Sequence, residues 1–141
     1  MAALPVFAAV GQTYRCATGA EIHRALDRAG PGDTFLLEGG KVYEIYVSLK
    51  LAASGTPDKM ITFTSEDSSG NDRYAVITTK DGRKEPDLVA MMVRGSNWDI
   101  SRIEIAGHRV PLGEGYWDTN GFRLGIFLRG PGAYGNVIED V

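Results

Sequence analysis

The chain has little of what several specialised functions require. Among its 141 residues there is one cysteine, Cys16, and there are two histidines, so neither an internal disulfide nor a zinc site is expected. The net charge is −3 and no run of lysine and arginine occurs, which excludes the basic surface of a nucleic-acid-binding protein. No apolar run approaches the ~20 residues of a membrane span. We therefore expect no nucleic-acid partner and no membrane partner.

Glycine, by contrast, is abundant, at 18 residues. Three glycines, Gly55, Gly95 and Gly130, are each preceded at two, four and six residues by apolar side chains. These nine positions are Ala53, Leu51, Leu49; Val93, Met91, Val89; and Leu128, Ile126, Leu124. Eight residues after the same glycines stand Phe63, Ile103 and Ile138. Alternation with a period of two predicts half-buried strands, and its recurrence predicts a stacked solenoid.

One helix is expected near the N-terminus. Thr18 and Glu21 have the spacing of a capping box, and the apolar residues that follow recur with helical periodicity over about ten residues, up to Gly30-Pro31-Gly32. Its single apolar face would cover the exposed end of the first coil. Further strands are predicted over residues 33–38, 42–47, 49–53, 60–64, 75–78 and 136–141, and residues 80–87 are predicted to form a solvated loop.

The chain is therefore predicted to be all-β, a right-handed parallel β-helix of three to four coils with an N-terminal capping helix. Residues 1–141 would form a single domain and an incomplete solenoid, with residues 1–32 as N-terminal strand and capping helix and residues 33–141 as coils. The apolar residues 1–10 fit two alternatives, the tail of a signal peptide or an N-terminal strand.

Three stretches together resemble a known family. They are the helix followed by Pro31-Gly32-Asp33-Thr34, the corner Ala53-Ser54-Gly55-Thr56 before Ile61-Thr62-Phe63, and Gly125-Ile126-Phe127-Leu128 before Asn136-Val137-Ile138-Glu139. The chain resembles the N-terminal portion of right-handed parallel β-helix proteins of the pectate-lyase-like superfamily, most of all the chondroitinase B and alginate lyase group.

The resemblance implies a secreted, cell-surface or periplasmic polysaccharide lyase that acts on or binds polysaccharides containing uronic acids. It also implies β-elimination chemistry, with calcium as a candidate cofactor that stabilises the developing negative charge. No stretch of this chain matches the catalytic base or acid of the family, so no catalytic residue is assigned. We expect the chain alone to be inactive.

Two sets of residues are candidates for binding an acidic polysaccharide. Arg94 and Arg129 each precede a corner glycine, and on stacked coils they would be near neighbours that share an anion. The alternative is two surface arginines with solvated guanidinium groups. In the insertion of residues 107–123, which is expected to be a loop, Tyr116, Trp117, Asp118 and Asn120 would form a sugar platform, or else fold back over the core.

Two other functions stay open. The chain could be a non-catalytic carbohydrate-binding or adhesin module, or a structural piece that assembles with itself. The last coil, with Leu124–Leu128, has no predicted cap, so we expect self-association through this end.

Overall fold

The computed structural model describes residues 11–67, 70, 72–79, 89–106, 108–113, 116–120 and 124–141. Of residues 108–113, 116–120 and 124 only the backbone is described. The two alternatives for residues 1–10 and the predicted loop at residues 80–87 lie outside the described residues.

The predicted capping box begins helix α1, Gly19–Leu26. The backbone N–H of Glu21 donates to Oγ1 of Thr18 at 3.2 Å, and the Glu21 carboxylate accepts from the N–H of Ala17 at 2.6 Å. The helix ends earlier than predicted. Beyond Leu26, the N–H groups of Arg28 and Ala29 donate to carbonyls three residues back, so the chain tightens into turns.

Thirteen strands are present in the described residues. They are β1 Thr13–Cys16, β2 Thr34–Glu38, β3 Val42–Ile45, β4 Leu49–Leu51, β5 Ile61–Glu66, β6 Ala75–Thr79, β7 Val89–Val93, β8 Trp98–Ser101, β9 Ile103–Ala106, β10 His108–Gly113, β11 Tyr116–Asn120, β12 Leu124–Leu128 and β13 Val137–Glu139. Strands β2 to β6 each begin within one residue of a predicted start. The described part of the chain has no helix long and apolar enough to cross a membrane.

The strands form separate sheets. One has five parallel strands in the order β1-β2-β5-β8-β13, two have three parallel strands, β12-β7-β4 and β3-β6-β9, and β10 pairs with β11 antiparallel. This arrangement corrects the predicted fold class: the protein is mostly β with one short helix and separate parallel sheets, not one right-handed solenoid of three to four coils. The glycine-based repeat treated the strands before and after each corner glycine as one unit, whereas the structure places those before it, β4, β7 and β12, in one sheet and β5, β8 and β13 in another.

The register differs from the glycine alignment in two places. Leu51 pairs with Val93, not with Met91, so strand β4 is displaced by two residues. Phe63 pairs with Ile100, and Ile103 lies in another sheet. A displacement of two preserves the side of the sheet that each side chain faces, because the side-chain period of a strand is two. The apolar positions of β4 therefore still point into the core.

Aromatic side chains stack across the five-stranded sheet. Register partners Tyr14 and Phe35 have ring centroids 5.1 Å apart, and Phe35 lies 6.3 Å from Phe63 and 5.9 Å from Trp98. Phe35, Phe63 and Trp98 are fully buried. Each pair contributes about 0.5–1.5 kcal/mol beyond its area burial. Helix α1 covers the start of this core with the buried residues Ile22 and Leu26.

Candidate functional site

Arg94 and Arg129 lie beside each other, one residue past the ends of β7 and β12. The last residues of these strands, Val93 and Leu128, are register partners, and the N–H of Arg129 donates to the carbonyl of Val93 at 2.9 Å. Neighbouring strands are ~4.8 Å apart. Both arginines are exposed, and neither forms an ion pair with any described residue. Like charges on neighbouring strands repel each other unless the side chains diverge or an anion lies between them.

A row of one lysine and two apolar side chains lies near this pair on the outer face of the sheet β12-β7-β4. Lys50, Met92 and Phe127 are register partners, and in β4 and β7 the residues on either side of this row are buried. Phe127 is 37% exposed, Lys50 is exposed and Met92 is half-buried. The face therefore offers three cations next to hydrophobic surface, a combination suited to the carboxylates and the apolar ring faces of acidic sugars.

The other predicted group lies on a hairpin, not a loop. Residues 108–120 contain β10 and β11, which pair from His108↔Asn120 to Gly113↔Tyr116 with an irregularity between Pro111 and Gly113. The composition of this segment, with its glycines and Pro111, predicted a loop. The irregularity between Pro111 and Gly113 allows the two strands to pair in spite of these residues. All four predicted residues, Tyr116, Trp117, Asp118 and Asn120, lie in β11, and their side chains are outside the described part.

In the sequence, the two predicted groups lie on opposite sides of β12. The hairpin precedes Leu124, where β12 begins, and Arg129 follows Leu128, where it ends. A strand of five residues spans roughly 13 Å. The backbone therefore places Arg94 next to Arg129, whereas the β11 residues precede the opposite end of β12 in the sequence.

A cleft of about 540 Å³ between α1 and β3 was not predicted. His23 lines it, and burial lowers the pKa of this imidazole, with the nearby Lys50 acting in the same direction and Asp27 opposing. Tyr43 lies in the same wall, and its hydroxyl donates to the carbonyl of Cys16 at 2.7 Å and accepts from the N–H of Glu38 at 2.9 Å. Burial raises the pKa of Tyr43. These bonds tie β1, β2 and β3 together, so we assign Tyr43 a structural role.

Calcium was a candidate cofactor by resemblance. Within the described residues, no group of three or more His, Cys, Asp or Glu side chains is arranged to hold a metal ion.

Comparison with solved structures identifies a structural relative. No family model and no curated protein matches the sequence. The structure is similar to the crystal structure of an alginate lyase from Paenibacillus sp. str. FPU-7, with a TM-score of 0.64 and 27% sequence identity. The match covers 92% of this chain and 37% of the alginate lyase, so the chain spans little more than a third of that protein's length. The chain is thus related in structure to a polysaccharide lyase.

Proposed function

We propose that this chain binds an acidic, uronic-acid-containing polysaccharide as a polysaccharide-lyase-like module that is inactive alone. The observation that carries the proposal is the pair Arg94 and Arg129, two exposed guanidinium groups on register-neighbouring strands without a counter-ion among the described residues. Similarity to an alginate lyase supports the choice of an acidic polymer. Alginate is the first ligand to test, and chondroitin sulfate is the second. Because such polymers are extracellular, we propose that the protein is secreted or lies at the cell surface or in the periplasm.

Binding is tested by affinity electrophoresis and calorimetry with alginate, and with dextran as a neutral polymer. We expect alginate to bind, with an affinity that falls as salt is added, and dextran not to bind. The double variant Arg94→Ala/Arg129→Ala should bind alginate roughly tenfold more weakly or worse, because each guanidinium group loses charge-assisted hydrogen bonds. The matched control is Arg24→Ala/Arg28→Ala, which removes two exposed arginines from the helix region.

Lyase activity is tested on the same polymers by the ultraviolet absorbance of the unsaturated product. We expect no increase for this chain alone. A steady increase that survives repeated purification would overturn the inactive-module part of the proposal and leave the binding part in place. Alginate binding equal to dextran binding at low salt would overturn the choice of ligand.

A second function, self-association, is favoured by the last strands. Leu51 and Val93 are fully buried, whereas Leu128, their counterpart in β12, is 46% exposed. Likewise Phe63 and Ile100 are buried and Ile138 is 39% exposed. Strands β12 and β13 are also the edges of their sheets. A second copy of this chain, pairing edge to edge, would cover the apolar side chains and continue both hydrogen-bond ladders.

Sedimentation at several protein concentrations tests this association. We expect a dimer or larger assembly whose population increases with concentration. Ile138→Lys should shift the equilibrium to monomer, because it places a charge in the contact, and Val42→Lys, at an exposed apolar residue near α1, is the control. A monomer at every concentration would refute the proposal.

A further inference from the structure

A second cleft lies on the sheet β3-β6-β9, next to the first residues of β6 and β9. It has a volume of about 440 Å³ and is lined by Gly40, Asp72, Arg73, Tyr74, Val76 and Glu104. Val76 and Glu104 are register partners, and their neighbours Ala75 and Ile103 are buried in the core. The lining side chains of β6 and β9 therefore lie on the outer face of the sheet. A volume of this size is in the range of small-ligand sites.

Arg102 fixes one wall of this cleft. Its Nη2 donates to Oδ1 of Asp72 at 2.7 Å, and its guanidinium carbon lies 4.9 Å from the centroid of the Tyr74 ring. The hydrogen bond to Asp72 raises the pKa of Arg102, so the cation persists at all ordinary pH values. Asp72 and Tyr74 are thus held by one side chain that comes from a distant corner of the chain.

Arg73 and Glu104 line the cleft and form no ion pair with any described residue. The backbone N–H of Arg73 donates to Oδ2 of Asp67 at 3.0 Å. Its aliphatic stem lies over Gly40, where an added methyl group would be 3.3 Å from Cδ of Arg73. The base of this side chain is therefore held in place, and its guanidinium group is available to a ligand.

We propose that this cleft is a second carbohydrate site, which binds a single uronate residue. Arg73 binds the sugar carboxylate, Glu104 accepts hydrogen bonds from hydroxyl groups, and Tyr74 and Val76 contact the apolar face of the ring. The choice of a uronate as the ligand rests on the proposed function, whereas the location of the site rests on the cleft itself. Arg94 follows β7 and Arg102 precedes β9, and the strand between them, β8, has four residues, so the two sites lie at different corners of the fold.

The probe is a purified alginate tetrasaccharide, titrated into the isotopically labelled protein and followed by the backbone amide signals. We expect shifts at residues 73–76 and 104 that persist in the Arg94→Ala/Arg129→Ala variant. Arg73→Ala should weaken binding at this site roughly fivefold or more, and Arg73→Lys should restore part of it. Arg24→Ala should change nothing. Thermal unfolding of each variant shows that the fold is retained.

The outcomes separate the two proposals. If shifts occur only around residues 94 and 129, or if Arg73→Ala leaves the signals of residues 73–76 unchanged, the second site is refuted and the proposed function stands. If the tetrasaccharide shifts only residues 73–76 and 104, the second site is supported and the assignment of Arg94 and Arg129 fails. If no amide shifts at concentrations far above those at which polymers bind, both are refuted.

Discussion

The side-chain amide of Asn97, just before β8, donates a hydrogen bond of 3.1 Å to the carbonyl oxygen of Gly55, which lies in the turn before the neighbouring strand β5. Asn136, just before β13, makes the equivalent contact with the turn before β8. Its side-chain amide donates to the carbonyl of Gly95 at 3.1 Å and accepts from the N–H of Trp98 at 2.8 Å. Asparagine side chains thus connect the turns that precede the neighbouring strands β5, β8 and β13. Asn97 is buried and has a φ of 59°, in the left-handed region that asparagine tolerates better than most residues.

The first prediction concerns Asn97. Asn97→Gly should lower the free energy of unfolding by about 1 kcal/mol, since it keeps the positive φ and loses the hydrogen bond to Gly55. Asn97→Ala should cost about 2–3 kcal/mol, because alanine also strains the backbone. Urea denaturation measures both. Equal losses in the two variants would show that the backbone conformation contributes nothing.

The second prediction compares two glycines. A methyl group at Gly95 would overlap the carbonyl oxygen of Ala53, so Gly95→Ala should destabilise the protein by about 3 kcal/mol or more. At Gly125 an added methyl group would meet, among the described residues, only the Ile105 side chain, at 3.6 Å, which is an ordinary contact. Gly125→Ala should therefore change stability by less than about 1 kcal/mol. Thermal unfolding of the two variants measures both effects. A Gly95→Ala variant as stable as the wild type would contradict the close approach of Gly95 to Ala53.

The third prediction concerns leucines that occupy corresponding positions in β4 and β12. Leu51→Ala should cost about 2–5 kcal/mol, because Leu51 is fully buried and its truncation leaves a cavity. Leu128→Ala should cost under about 1 kcal/mol in dilute solution, where the side chain is 46% exposed. At high concentration the same variant should weaken self-association. Similar losses for both leucines in dilute solution would mean that β12 is covered even in the monomer.

The fourth prediction concerns pH. Burial, and then the nearby Glu21, raise the pKa of the Cys16 thiol from 9.0 to about 11. Below pH 9 the thiol is protonated in both states. As the pH rises from about 9 to 11, the unfolded state loses the proton first, so stability falls, by about 1 kcal/mol at pH 10. Urea unfolding of wild type and Cys16→Ala at pH 8 and pH 10 measures this loss.

The comparison with Cys16→Ala is needed because burial also raises the pKa of Tyr43, which adds to the alkaline loss in both proteins. The variant should lose less stability between the two pH values. Parallel curves for the two proteins would show that Cys16 is not protected from ionisation.

Local rules predicted much of the backbone. The spacing of Thr18 and Glu21 placed the start of the helix, because a cap depends on neighbours in sequence. Alternation placed the starts of β2 to β6 and identified Leu49, Leu51, Met91 and Val93 as core residues, since the period of a strand fixes which side chains share a face.

The sequence by itself thus determined most strands of the parallel sheets and which of their side chains face the core, but not the two strands within residues 108–120. Only the tertiary structure decided the register and the assignment of strands to sheets, because parallel partners 21 to 42 residues apart leave no local pattern. It displaced β4 by two residues from the predicted alignment and placed Ile103 in another sheet. It also assembled the cleft from residues near positions 40, 74 and 104, which no spacing along the chain connects.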